Sequence, residues 1–300
     1  MRILVTGSKG FIGKNLLQHL KSRRDYEVEG FDIVNGQDVL NIKQVRRAVR
    51  DVDVVVHLAG KSSSHHFFED PLKAWRTNVE GTANIVNELS REAKIIFLST
   101  GTIYGDSAKP AREFDPLPIP PNLYALSKLE GERLCLLHGN CVILRVFTGY
   151  GVGEEHKGAY ASPIYKFVKS MLKGEPPLIY GDGKQVRDCI YISDIIKVIE
   201  FFIRNNPKHK ILNVGTGVGT DFLSVIQIIN NLLGTEISPV FTQPPKGYVG
   251  SIVADINLLK QEMDFNPISI EEGIKQLIRH FTLPTRPCGR SSPWHLRSCS

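Results

Sequence analysis

The sequence predicts an α/β fold, a doubly wound parallel sheet followed by a smaller C-terminal α/β substrate-binding lobe. Three observations carry this. A strand runs into three evenly spaced glycines and then into an amphipathic helix. The next strand ends in an acid, Asp32. Short, wholly apolar strands then alternate with helical segments up to about residue 149, the pattern of a parallel sheet covered on both faces.

The first element is Ile3-Leu4-Val5, followed by Gly7-x-x-Gly10-x-x-Gly13. Phe11, Ile12, Leu16, Leu17 and Leu20 fall on the buried side of the helix that follows. Gly7 permits a tight turn, Gly10 lets a pyrophosphate approach the backbone, and Gly13 lets helix and strand pack closely. The helix N-terminus then presents free N–H groups to phosphates. A glycine triplet is weak evidence alone; between a strand and a helix it has the context the motif requires.

The strand Val28–Asp32 ends 25 residues after Gly7, where a carboxylate accepts hydrogen bonds from the adenosine ribose hydroxyls. Asp32 would repel a 2′-phosphate, and Ile33, Val34 and Asn35 offer no cation to bind one, so NAD is expected over NADP. Lys9 is the one contrary hint. Asp38 and Val39 could border the adenine or form a plain surface turn.

Residues 53–60 form a continuous apolar strand that brings Leu58, Ala59 and Gly60 to its carboxyl end, beside the expected cofactor. His57 reads as a packed core histidine. A helix is expected from about Pro71 to Arg91. Strand Ile95–Leu98 delivers Ser99 and Thr100 to the same edge, and a proline-rich loop leads to Tyr124. Tyr124 and Lys128 are four apart, so on a helix they share a face and meet the same ligand. A nearby cation favours the phenolate, which makes Tyr124 a usable base. Two further Tyr-x-x-x-Lys matches, Tyr165/Lys169 and Tyr180/Lys184, lie beyond the sheet and read as chance.

Composition bounds the partners. Charged residues make up 23% and hydrophobic residues 42%, an ordinary globular balance. No apolar run approaches the ~20 residues that span a bilayer, so no membrane partner is expected. The net charge of +6 is spread along the chain without a basic stripe, which argues against nucleic acid. Five scattered cysteines fit no disulfide framework, and a reducing cytoplasm is the expected compartment. No metal-ligand cluster is present.

Together, Thr-Gly-x-x-Gly-x-x-Gly, His-Leu-Ala-Gly, Asn-Val-x-Gly-Thr, Ser-Thr-x-x-x-Tyr-Gly and Tyr-x-x-x-Lys resemble the extended short-chain dehydrogenases/reductases. Within them, the chain is similar to the NAD-dependent nucleotide-sugar epimerase/dehydratase group, whose type member is UDP-glucose 4-epimerase. The likeness runs to about residue 281. It implies a Rossmann domain of residues 1–149 and about 187–217. It also implies a nucleotide-sugar domain of about 150–186 and 218–283, and a homodimer formed through the helices beginning near Pro71 and Tyr124. Residues 284–300 show no periodicity and read as a disordered tail.

The resemblance implies Thr100, Tyr124 and Lys128 as catalytic, with Lys128 holding the nicotinamide ribose and lowering the Tyr124 pKa. It adds Phe11, Ile12, Asn78 and Ser99 to the NAD contacts. Lys61, Thr148, Arg187, Lys246 and Ile252 join Thr100 and Tyr124 on a UDP-hexose substrate. Arg187 would hold the diphosphate, since a guanidinium fork binds phosphate oxygens in pairs. Several positions depart from the family pattern. Thr100-Gly101-Thr102 lacks the carboxylate pair of the 4,6-dehydratases, so the acid and base for water elimination are missing. Thr148 replaces the asparagine of the type member, and Lys246 sits near the place where the family often has a second phosphate-binding arginine. Ile252 occupies the position that helps decide whether an N-acetyl group fits. These features imply a 4-epimerase, with a decarboxylase or 4-keto-sugar reductase on the same scaffold as alternatives. A non-catalytic nucleotide- or RNA-binding relative is the alternative of another class.

Overall fold

A computed structural model describes residues 1–244, 248 and 250–283 of the chain. The strands are β1 (Arg2–Thr6), β2 (Glu27–Phe31), β3 (Val54–His57), β4 (Lys94–Thr100), β5 (Cys141–Val146), β6 (Thr148–Tyr150), β7 (Leu178–Tyr180), β8 (Val186–Tyr191), β9 (Ile211–Val214), β10 (Gly219–Asp221) and β11 (Val240–Thr242). The helices are α1 (Phe11–Lys21), α2 (Ile42–Ala48), α3 (Ser64–Glu69), α4 (Pro71–Trp75), α5 (Gly81–Glu88), α6 (Leu123–His138), α7 (Pro163–Met171), α8 (Ile192–Arg204), α9 (Phe222–Leu233), α10 (Asn257–Glu262) and α11 (Ile270–Thr282).

The main sheet is parallel, in the order β2-β1-β3-β4-β5-β9. Successive side chains on a strand point to opposite faces, and the two faces carry two cores. Ile3, Val5, Val54, Val56, Ile96 and Leu98 join one core, which continues into the C-terminal helices through Phe222 and Leu277. Leu4, Val55, Ile95, Phe97 and Ile143 join the other, with Val45 of α2 and Cys135 of α6. Buried Lys94 ties the sheet to α8: its amine donates to the carbonyls of Phe202 and Asn205, both at 2.9 Å, at that helix's end. A cation there satisfies the carbonyls that a helix C-terminus leaves unpaired.

Two details depart from the sequence-based expectation. The helix expected from Pro71 to Arg91 is interrupted by a π turn at Arg76–Glu80 and ends at Glu88. Residues 187–217 divide: β8 pairs with β6 and β10 in a separate three-stranded sheet, while β9 joins the main sheet. The expectations for Lys246 and for 284–300 lie outside the described residues.

Candidate active site

The carboxyl ends of β1, β2, β3 and β4 meet at one edge, where ligands bind in such sheets. Gly7 turns with φ +66°, and a Cβ there would lie 2.7 Å from the Ala59 nitrogen. A Cβ on Gly13 would lie 2.2 Å from the Gly7 carbonyl oxygen. The turn therefore closes on itself only without side chains. α1 begins directly after Gly10, with no side-chain cap and no acid in its first turn, an arrangement that suits an anion.

Asp32 lies one residue past β2 and is 7% exposed. It accepts from the Lys9 amide at 2.8 Å and the Val34 amide at 2.9 Å, which ties the glycine loop to the end of β2. Asp38 caps its own turn by accepting from the Leu40 amide at 2.9 Å. Val39 is not a surface residue: it is buried against Gly81, where a Cβ would come within 2.6 Å of its side chain.

Thr6 fastens β1 to the loop after β3. Its hydroxyl oxygen accepts from the amides of Leu58 and Ala59, both at 3.1 Å, so its proton goes to His57 Nδ1 at 2.7 Å. His57 Nε2 then donates to Thr82 Oγ1 at 3.0 Å, because the Thr82 proton goes to the Asn78 carbonyl. Burial pulls the His57 pKa down to about 3, and the nearby Lys128 charge acts in the same direction. His57 is a neutral core histidine held as the Nε2–H tautomer. Asn78 lies in the π turn, a feature common at functional sites. It accepts from the Lys61 amide and donates to the Lys61 carbonyl and to Ser127 Oγ. The Gly60-Lys61 loop is thereby joined to α6 beside Lys128, and a Cβ on Gly60 would come within 2.9 Å of the Asn78 oxygen.

Thr100 ends β4 and caps the 3₁₀ turn Gly101–Tyr104. Its hydroxyl accepts from the Thr102 amide at 3.1 Å, and Oγ1 lies 2.9 Å from Thr102 Oγ1. Tyr124 sits in the first turn of α6, capped by Asn122. Burial pushes the Tyr124 phenol up, and its hydrogen bond with Thr100 pulls it down. The lowering expected from Lys128 is not what the structure provides. The Lys128 amine rests 4.1 Å from the centre of the Phe97 ring, and burial draws its own pKa down to about 8. Ser99 points away from the edge, donating to Glu132 at 2.5 Å.

Thr100 and Tyr124 open into a cavity of about 230 Å³. Thr148, Arg187 and Ile252 line it as well, and Arg187 and Ile252 are joined by a parallel bridge. Arg187 is 8% exposed and lies 5.3 Å from the Tyr248 ring. The sequence reading missed Ser62, Ser63, Ser64, Phe147 and Tyr248, which also line the cavity. The serines had a signal, since they follow Lys61 at the ligand-binding edge. Tyr248 had none.

The family model for the NAD dependent epimerase/dehydratase family matches residues 3–215. A Methanocaldococcus jannaschii protein, provisionally named UDP-glucose 4-epimerase, is 32% identical over 92% of this chain and 97% of its own. The chain belongs to the NAD dependent epimerase/dehydratase family. Among solved structures, Thermotoga maritima UDP-glucose 4-epimerase with UDP-glucose is similar, with a TM-score of 0.86, 26% identity, and coverage of 94% of this chain and 98% of that one. Bacillus cereus UDP-glucuronic acid 4-epimerase, in complex with UDP-glucuronic acid and NAD, has a TM-score of 0.82 and 27% identity, covering 93% and 98%.

This family member is an NAD-dependent enzyme of nucleotide-sugar chemistry, and its residues fit the cofactor. Gly7 and Gly13 leave no room for a Cβ beside the α1 N-terminus, and Asp32 stands at the neighbouring strand end. No described helix is long and apolar enough to cross a membrane.

Proposed function

We propose that this enzyme is a nucleotide-sugar 4-epimerase that interconverts UDP-glucose and UDP-galactose, or their N-acetylated forms, through a transient 4-keto sugar. The observation that carries this reading is one cavity holding Thr100 and Tyr124 together with the buried cation Arg187. Proton-transfer groups and a phosphate-binding fork are what a nucleotide sugar requires.

In this reading Tyr124 takes the proton from the sugar 4′-hydroxyl and later returns it. Thr100 hydrogen-bonds the reacting oxygen, and Lys128 binds the nicotinamide ribose. NAD supplies the hydride chemistry at C4′. Arg187 holds the diphosphate, while Lys61, Thr148 and Ile252 border the sugar. Positioning and proton transfer carry most of the rate. None of the described lining residues is a carboxylate, so water elimination lacks its acid and base.

UDP-glucuronate is the second reading. The hydroxyls of Ser62, Ser63, Ser64, Thr102 and Thr148 line a cavity without a described carboxylate to repel one, and the Bacillus cereus relative binds that sugar. A cytoplasmic homodimer completes the proposal, with exposed Leu72 of α4 and Leu137 of α6 at the contact.

The test is incubation with UDP-galactose and a trace of NAD. UDP-glucose without net NADH is the expected product. No conversion of UDP-galactose, with conversion of UDP-glucuronate, would replace the first reading with the second.

A further inference from the structure

A buried polar network lies beneath the catalytic strand end. Glu132 stands on α6 one turn beyond Lys128 and is 1% exposed. Arg145 Nε donates to Glu132 Oε1 at 3.0 Å, and Arg145 Nη2 donates to Oε2 at 2.7 Å. Ser99, the residue before Thr100, also donates to Oε1. Arg145 Nη1 reaches the Tyr104 hydroxyl at 2.8 Å, and Tyr104 donates to Asn213 Oδ1 at 2.8 Å. Tyr104 ends the 3₁₀ turn that Thr100 caps. The pair therefore grips the Thr100 segment on both sides. A buried ion pair is rarely more stabilising than apolar packing, so its stability alone is a weak account of its presence.

We propose that Glu132 is a positioning residue for the proton-transfer set. Through Ser99 and Arg145 it fixes the strand end that carries Thr100, and on the same face of α6 it supplies the counter-charge to the Lys128 ammonium. The inference rests on the roles given above to Thr100, Tyr124 and Lys128.

The groups around Lys128 are consistent with this. Burial draws its pKa down, while Cys135 and Glu132 draw it up. The Cys135 thiol is itself pushed far up by burial and stays neutral where Lys128 titrates. Burial pushes the Tyr124 phenol on α6 up, His57 on β3 is neutral, Phe97 on β4 offers only its ring, and Arg145 on β5 is a cation paired with Glu132, so a glutamine at 132 would leave its guanidinium unpaired. Among the described residues, Glu132 is the anion that remains.

The experiment uses NAD-loaded protein labelled at lysine Cε, with Lys128 assigned through Lys128→Arg and titrated by NMR. The pH dependence of kcat on UDP-galactose is measured beside it. Glu132→Gln should lower the Lys128 midpoint by about one pH unit at the separation of one helical turn. The basic limb of kcat should move the same way, with KM little changed. Glu132→Asp, which keeps the charge, should restore the midpoint. Ser99→Ala leaves the ion pair whole and should lower kcat about tenfold with the midpoint unmoved. An unmoved midpoint in folded Glu132→Gln, or normal kcat in Ser99→Ala, overturns the proposal. If Glu132→Gln does not fold, Ser99→Ala alone decides the proposal, because it loosens the strand end and leaves the buried ion pair in place. Wild-type protein inactive on every UDP-hexose would sink the functional reading alone, because the titration still judges the charge pairing.

Discussion

The Asn78 side chain grips both backbone groups of Lys61, accepting from its amide at 2.6 Å and donating to its carbonyl at 3.1 Å. A third bond, to Ser127 Oγ at 2.9 Å, ties the same side chain to α6. Asn78 is 4% exposed, so water cannot replace these partners. Asn78→Ala should cost about 3 kcal/mol, the scale for leaving buried polar groups unsatisfied. It should also weaken NAD retention, since the released loop follows Leu58-Ala59-Gly60. Urea unfolding and the NAD content after gel filtration check this. Wild-type values in both would show that the bracket has no such role.

His57 links the site to pH. Its folded pKa of about 3 lies far below the ordinary 6.5. A depressed pKa contributes stability that is complete above the unfolded value and is lost as pH falls below it, down to the folded value. The window therefore runs from about pH 6.5 to about 3. Between pH 7 and pH 5 this single group should remove about 2 kcal/mol of stability. His57→Gln, whose amide can serve both threonines, should be less stable at pH 7 and should lose about 2 kcal/mol less than wild type over that interval. Paired urea melts at the two pH values measure the difference; equal losses would contradict the neutral assignment.

Local chemistry explains what was legible. The glycine turn, the acid after β2 and the apolar strands are written in short stretches whose geometry depends on adjacent residues, and the structure holds them there. The Tyr124/Lys128 pair was half legible. Helical spacing places Tyr124 and Lys128 on one face, but the amine's position over Phe97 depends on which side of β4 meets α6. The Glu132–Arg145 network was not legible, because it assembles residues 99, 104, 132, 145 and 213 from five segments. Asn78 was seen as a cofactor contact. Its bracing of Lys61 depends on the π turn, and no local residue pattern announced that turn.

Gly13 provides a steric prediction. A Cβ there would meet the Gly7 oxygen at 2.2 Å and the Ser8 Cα at 2.8 Å, both backbone atoms that move only if α1 shifts from the sheet. At Gly10 the nearest contact would be the Gly7 oxygen at 3.1 Å, which a small adjustment relieves. Gly13→Ala should therefore lose about 2 kcal/mol, as overpacked sites do, and should purify without NAD. Gly10→Ala should be markedly less destabilised. A thermal melt of each variant, with NAD assayed after denaturation, separates them. If the two variants behaved alike, close helix–strand packing would not be what Gly13 serves.

Thr100 and Tyr124 make a prediction opposite in direction to that for Glu132. Burial raises the Tyr124 phenol, and the Thr100 hydrogen bond is the influence that lowers it. In the proposed function the base form of Tyr124 accepts the sugar proton, so its titration would set the acid limb of kcat/KM. Thr100→Val removes the lowering influence. The acid limb should move to higher pH, with activity lost at neutrality and partly recovered in alkali. Thr100→Ser keeps a hydroxyl and should keep the limb near its wild-type position. Tyr124→Phe has no phenol to titrate and should lose about 10³-fold in kcat, within the range for a general base, while retaining NAD. The measurement is the full pH profile of the three variants on UDP-galactose. An acid limb that stays in place in Thr100→Val would mean that another group accepts the proton, and the alkaline recovery is the feature that a purely structural defect would lack.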